Sequence, residues 1–341
     1  MINPLYIKSA RAITAQDCFN SNDLSQASRP CTGNRFVYVE PDYSRYFTIM
    51  QLRRMSRLTR IGLVAAIECL KDAGIAKPEA ILTGTGKGSL NDTEKFMHAI
   101  RSFQEGTLNP SPFIQSTYNA LNGLIGLHHQ VNSYNTTYVH SGFSLEHALL
   151  DAALLMGDNT IRNALIGSFE EMTDEHYIIK EKLGFWKSGA VSGEGSFFFF
   201  AQQDKTGAVL AIEDLQLLFE PDQQKIRNAV HALLAAHQLQ WQDIDVYISG
   251  RNKDTRYDSY YDLVSEQLTP ATTELQFKQL TGEFDTASGF GLWAATRMVE
   301  TGQLFPALVL KKGTSTRIKH LLFYNQYYSK QHVLYLLKAV E

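Results

Sequence analysis

The chain has 341 residues, 44% of them hydrophobic and 20% charged, with a formal net charge of −3. Such a balance describes an ordinary globular protein, long enough for one large core or two fused halves. It argues against nucleic acid as a partner, because no long basic run is present, and no stretch of about 18 apolar residues offers a membrane span. The opening MINPLYIKSARA lacks the apolar core of a secretion signal. Cys18, Cys31 and Cys69 show no paired spacing, so free thiols in a reducing cytoplasm are expected.

In chain order, residues 4–12 read as a strand and 13–50 as a long polar, turn-rich segment. MSRLTRIGLVAAIECLKDAG (55–74) has apolar residues at three- and four-residue spacing, and Gly74 stops it, so a helix is expected. AILTGTG (80–86) reads as a buried strand, and 91–106 as a helix capped by Asn91 or Asp92. After a break at Pro110–Pro112, a helix is expected over about 114–129, then the strand SYNTTYV and a helix over 142–156. NALIGSF, SFFFFAQ and VLAIEDLQLLF are strands. Helix 221–237, strand DVYIS, helices 256–268 and 287–300, and the strands PALVLKK, HLLFYNQ and HVLYLLK complete the chain. Alternation of this kind implies a largely parallel, buried sheet system.

One internal echo adds to this. Ser141-Gly142-Phe143 opens a helix that ends near Gly157 and leads into NALIGS. Ser288-Gly289-Phe290 opens one that ends near Gly302 and leads into PALVLK. A duplicated α/β half packed on its copy explains both; chance similarity of two small-residue helix starts is the alternative.

Several motifs lie in a shared order. They are Arg54-Met55-Ser56-Arg57 in the first long helix, Gly84-Thr85-Gly86, Ser111-Pro112-Phe113, Ala164-Leu165-Ile166-Gly167, Ser192-Gly193-Glu194-Gly195-Ser196, Lys278, and Ala287-Ser288-Gly289. In that order the chain resembles the β-ketoacyl synthases of the thiolase superfamily over nearly its whole length. The resemblance implies an α/β fold, a thiolase-like five-layer αβαβα sandwich of two duplicated halves. These are expected at 1–205 and 206–341 within one compact unit.

Those enzymes join acyl chains with a cysteine at a helix start and two histidines. By the resemblance, the cysteine position is Val139, the first histidine falls within two residues of Ser249, and the second is Glu283. Lys278 alone is retained, and Asn325-Gln326-Tyr327-Tyr328-Ser329 replaces the family's glycine-rich gating loop. Valine has no lone pair for an acyl-enzyme, and an anionic glutamate cannot donate to an enolate oxygen. A catalytically degenerate subunit is therefore implied, with no cofactor and no metal. It resembles the chain-length factor that pairs with an active ketosynthase in type II polyketide and aryl polyene systems, with an acyl carrier protein as a further partner.

Phe113, Ile114, Tyr118, Tyr134, Tyr138, His140 and Phe143 are the candidates for tunnel or interface positions, with core packing as the plainer reading. His140 next to the empty position could act as a base with Glu283, which leaves altered, non-covalent chemistry as the alternative function. Ser141 reads as a helix cap. GTGKGS reads as a tight turn, because the phosphate-loop spacing is absent. The basic cluster Arg53, Arg54, Arg57 and Arg60 reads either as a solvated face or as a contact for an acidic carrier protein.

Overall fold

The computed structural model describes residues 2–24, 29–104 and 106–341. Its first stretch holds β1 (Leu5–Ile13), α1 (Ile49–Leu52), α2 (Arg57–Ala73), β2 (Ala80–Gly84), α3 (Leu90–Phe103), α4 (Pro110–Ser116) and α5 (Ala120–His129). Then follow β3 (Tyr134–Tyr138), α6 (Ser144–Gly157), β4 (Asn163–Glu170), α7 (Asp174–Lys182) and β5 (Gly195–Gln202). The remainder holds β6 (Leu210–Phe219), α8 (Gln223–Ala236), β7 (Val246–Ser249), α9 (Ser259–Ser265), β8 (Thr273–Gln276) and α10 (Lys278–Thr281). It closes with α11 (Ser288–Thr301), β9 (Val309–Lys311), β10 (His320–Tyr327) and β11 (Gln331–Ala339).

The strands form one sheet in the order β3-β2-β4-β5-β1-β6-β11-β10-β7-β8-β9. Read inward from either side, β3-β2-β4-β5-β1 and β8-β7-β10-β11-β6 are the same arrangement. In each, a central strand runs parallel to two neighbours and the next two pairings are antiparallel. The duplication read from the sequence is present, but its pairing was off by one strand. The counterpart of β4 is β10, not PALVLK, because both β4 and β10 lie parallel to the central strand of their half. PALVLK supplies only β9, a short edge strand antiparallel to β8.

The sheet is also less parallel than the alternation implied. The halves join antiparallel at Leu5–Ile7 against Leu210–Ile212. A tight hairpin at Tyr328–Ser329 makes β10 and β11 antiparallel, which periodicity alone does not reveal.

Three hydrophobic clusters show the layers. The central one combines α6 and α11 with the inner faces of both half-sheets. A second packs α2 and α5 on the outer face of the first half, and a third packs α8 and α9 on the outer face of the second. Five layers result, as expected. Period-two alternation places SFFFF among them: Phe197 and Phe199 enter the central cluster, Phe198 and Phe200 the outer one. A strand buried on both faces reads as an apolar run.

Local boundaries differ in informative ways. The helix expected over 114–129 is two helices broken at Thr117, whose backbone is extended, and Pro110 and Pro112 lie inside α4. Proline is tolerated there because the first turn has no partner for its missing N–H. For α3, neither Asn91 nor Asp92 caps; Ser89 precedes the helix and its hydroxyl donates to Asp92. Residue 105, in the expected helix, and residues 25–28, in the expected loop, lie outside the described residues. The polar α7 and the short β8 and α10 went unread, since none carries a clear apolar period. Among the described residues, no helix is long and apolar enough to cross a membrane.

Candidate functional site

Strand β3 runs into α6 through a turn at residues 139–143. Val139 is 41% exposed at the end of the strand. The strained position of the turn is Ser141, with φ 48°. Ser141 does not cap the helix; the Ser144 hydroxyl accepts the His140 N–H at 2.8 Å instead. The Gly142 N–H, at the helix entry where a developing oxyanion would be held in an acyl-transfer enzyme, is already taken. It donates to Gln331 Oε1 at 2.8 Å, while Gln331 Nε2 donates to the His140 carbonyl at 3.1 Å. Tyr327 lies where a side chain on Gly142 would go. His140 stacks on His147, ring centroids 4.9 Å apart. No hydrogen bond or ring contact among the described residues links His140 to Glu283, so the structure does not bring that proposed acid–base pair together.

Beyond the turn lies a buried ion pair. Lys278 Nζ donates to both Glu283 oxygens, at 3.0 and 2.8 Å, and to the Gln326 carbonyl at 3.0 Å. Asn252 Nδ2 donates to Glu283 at 2.6 Å. Burial pushes the Glu283 carboxyl up, and Lys278 opposes that rise. All three donors of Lys278 are thus spent. Ser249 is not part of this group; its hydroxyl donates across to the Leu275 carbonyl. At the next residue, Gly250, a Cβ would strike Asn325 and the Tyr261 hydroxyl, so no side chain fits. Asn252 is the residue of this loop that reaches Glu283, three positions past Ser249.

A second polar cluster adjoins the first. Asp285 faces Lys87 at 3.5 Å and Lys180 at 3.9 Å, and Lys180 donates to the Tyr327 hydroxyl at 3.4 Å. The Lys180 ammonium also lies 5.1 to 5.9 Å from the rings of Phe185, Trp186, Tyr327 and Tyr328. Those contacts hold a hairpin turn in which both Tyr328 and Ser329 have positive φ, 49° and 56°. Glycine would adopt that backbone without strain; two non-glycine residues cost of order 1 kcal/mol each. Nothing in the sequence pattern pointed to Lys180, Asp285, Glu170 or Gln331, because each gains its meaning only from a distant element.

Three buried carboxyls in this region give an expected pH dependence. Burial pushes Glu146, Glu170 and Glu171 up to about 7, 8 and 7. A carboxyl with a raised folded pKa holds its proton more tightly in the fold. The stability it lends is complete below about 4.5 and is lost as pH rises through the folded value. His176 and His332 are pushed down by burial to about 4, so they favour the fold above about 6.5 and oppose it below. From about pH 6.5 to 8 these two histidines are largely neutral in fold and unfolded chain alike while the three glutamates lose their protons, so their contribution makes Tm fall across that window. Glu170→Gln keeps an acceptor for the Gly86 N–H without the charge and flattens the fall in a Tm-against-pH series. Equal slopes in both proteins would show that Glu170 is not the group titrating.

The aromatic candidates separate by exposure. Phe113 and Ile114 on α4 are 54% and 61% exposed, and Tyr118 and Tyr134 are also exposed. The Phe113 ring lies 5.2 Å from that of Phe96 on α3, while Tyr134 opens β3, whose outer edge is unpaired among the described residues. Tyr138 is half-buried beside Asp151. Phe143 is core. The arginine cluster divides as well. Arg57 is held bidentately by Glu194, with Glu40 alongside, and stacks on Tyr38; Arg60 donates to the Leu52 carbonyl. Only Arg53 and Arg54 remain as exposed charges. No group of histidine, cysteine and acidic residues that could hold a metal occurs among the described residues.

The family model for the N-terminal domain of β-ketoacyl synthases matches residues 38–243. Similar solved structures include the ishigamide ketosynthase/chain length factor, with TM-score 0.78, 14% identity and full coverage of both chains. A β-ketoacyl synthase from Burkholderia phymatum STM815 aligns at 0.75 and 13%, again over both whole chains. The ketosynthase ApeO in complex with its chain length factor ApeC, from Xenorhabdus doucetiae, aligns at 0.74 and 13%, over 99% of this chain and 98% of that one. At such identities the likeness speaks for the fold. A comparison with curated protein sequences found no match.

Proposed function

Since the chain belongs to the β-ketoacyl synthase family, we propose that it is a non-catalytic subunit of the chain-length-factor kind. It pairs through β3 with an active ketosynthase and shapes the partner's acyl tunnel. The observation that carries this reading is the self-satisfied state of the catalytic location. Gln331 occupies the Gly142 N–H, and Tyr327 fills the space above it. Lys278, Glu283 and Asn252 satisfy one another. A site built for turnover leaves donors aimed at the substrate; here they are spent within the chain.

The unpaired edge of β3, which begins at the exposed Tyr134, supports a strand-to-strand partner, because an open edge is otherwise an aggregation hazard. The neighbours described as ketosynthase with chain length factor support the same kind of partner. An acyl carrier protein is then met directly or through that partner, in aryl polyene or related type II polyketide synthesis.

The test is co-expression with the ketosynthase encoded beside this chain, one subunit tagged, and the mass of the eluted species measured. A one-to-one complex is expected. Elution of the tagged chain alone as a homodimer, with turnover of malonyl-carrier protein that Glu283→Ala abolishes, would instead establish altered chemistry. A second expected result concerns the turn. Val139→Cys supplies a thiol but leaves the Gly142 N–H occupied, so intact-mass measurement with an acyl donor shows no acyl-enzyme. An adduct on that cysteine would show that the turn is still competent.

A further inference from the structure

A cleft of about 370 Å³ lies between residues 29–36, α10 and the loop after β7. It adjoins the buried ion pair, sharing Lys278 and Asn252 with it as lining residues. Phe36, Val191, Leu280 and Ala307 give it an apolar wall, with Gln279 and Asn252 as its neutral polar side chains. No acidic residue lines it, whereas Arg29, Lys253 and Lys278 do. The Lys278 charge is already matched by Glu283. Arg29 and Lys253 are exposed and have no carboxylate within 4.0 Å among the described residues, so theirs is the uncommitted charge. The neighbouring segment 25–28, Ser-Gln-Ala-Ser, brings no charge by sequence.

We propose that this cleft binds a small monocarboxylate with a compact apolar body. The head group sits at Arg29 and Lys253, and the body lies against Phe36, Leu280 and Ala307. Two surplus cations at the mouth of an apolar pocket select an amphiphilic anion, because the head is matched in charge while the body leaves water. A dianion such as a phosphate monoester is disfavoured. The loop has no free amide to offer it, since the N–H groups of Asn252 and Lys253 both donate to Asp258, whose carboxylate would repel a second negative charge.

The site does not depend on the partner reading above, and the experiment uses the whole chain alone. Titration calorimetry with sodium octanoate is compared with 1-octanol, which keeps the body and lacks the charge. Octanoate is expected to bind at least tenfold more tightly than octanol. The double variant Arg29→Gln/Lys253→Gln is expected to erase that difference, and Ala307→Phe to block octanoate by filling the wall. The two variants act on opposite ends of the ligand, so a folding defect in one does not decide the matter. No binding of octanoate, equal binding of octanol, or binding unchanged in the variants overturns the proposal.

Discussion

Replacing Phe113 and Ile114 together by aspartate weakens capture of the ketosynthase partner at least a hundredfold, with little change in the stability of the chain alone. The separation between the two effects carries the argument. Both side chains are more than half exposed on α4, so the free chain loses little packing beyond the Phe113–Phe96 ring contact, and surface substitutions stay mostly within about 0.5 kcal/mol. In the proposed complex, each is an exposed apolar anchor that α4 offers to the partner. Anchors of this type are worth about 2 kcal/mol or more apiece, and 1.4 kcal/mol is tenfold in affinity. Two buried carboxylates would add a desolvation cost. Leu183→Asp is the control: it changes an exposed apolar residue just past the end of α7, in a different element from the two test positions, and should leave the complex intact. If the double aspartate variant binds its partner as the parent chain does, the exposed apolar face of α4 is not part of the interface.

Much of the scaffold was legible because it rests on short-range patterns. The period of α2, the apolar run of β5 and the repeated helix starts of α6 and α11 each report a local burial requirement. The strand order was not legible, because pairing joins segments far apart. PALVLK and HLLFYNQ look equally apolar, and only the fold decides that the second lies beside β7.

The same distinction holds at the candidate site. Glu283 and Lys278, five residues apart, could be marked from sequence, and they do meet. Gln331 against Gly142 spans 189 residues, and Lys180 against Tyr327 spans 147. No spacing rule reaches that far. Ser249, marked only to within two residues, bonds to β8, and Asn252, three positions on, is the residue of that loop that reaches Glu283.

The pair formed by Lys278 and Glu283 allows a sharp test of what holds the candidate site together. Lys278→Met keeps most of the side-chain volume and removes the charge. Glu283 is then left buried with Asn252 as its remaining side-chain donor. Breaking a buried pair by deleting one partner costs about 3–5 kcal/mol, because the surviving charge has nowhere to go. Equilibrium denaturation should show a loss of that size near pH 8. The loss should shrink on acidification. Burial already raises the Glu283 carboxyl, and without the opposing ammonium it rises further. The protonated form is then favoured in the fold, so stability is regained below the folded pKa and lost as pH climbs through it. Lys278→Met/Glu283→Gln should recover most of the loss at pH 8, since glutamine still accepts from Asn252 and carries no charge. A single variant as stable as the parent chain at pH 8 would mean that the pair holds nothing together. The expected loss would instead show that the pair, with Asn252 and the Gln326 carbonyl, ties the loop after β7, α10 and β10 to one another.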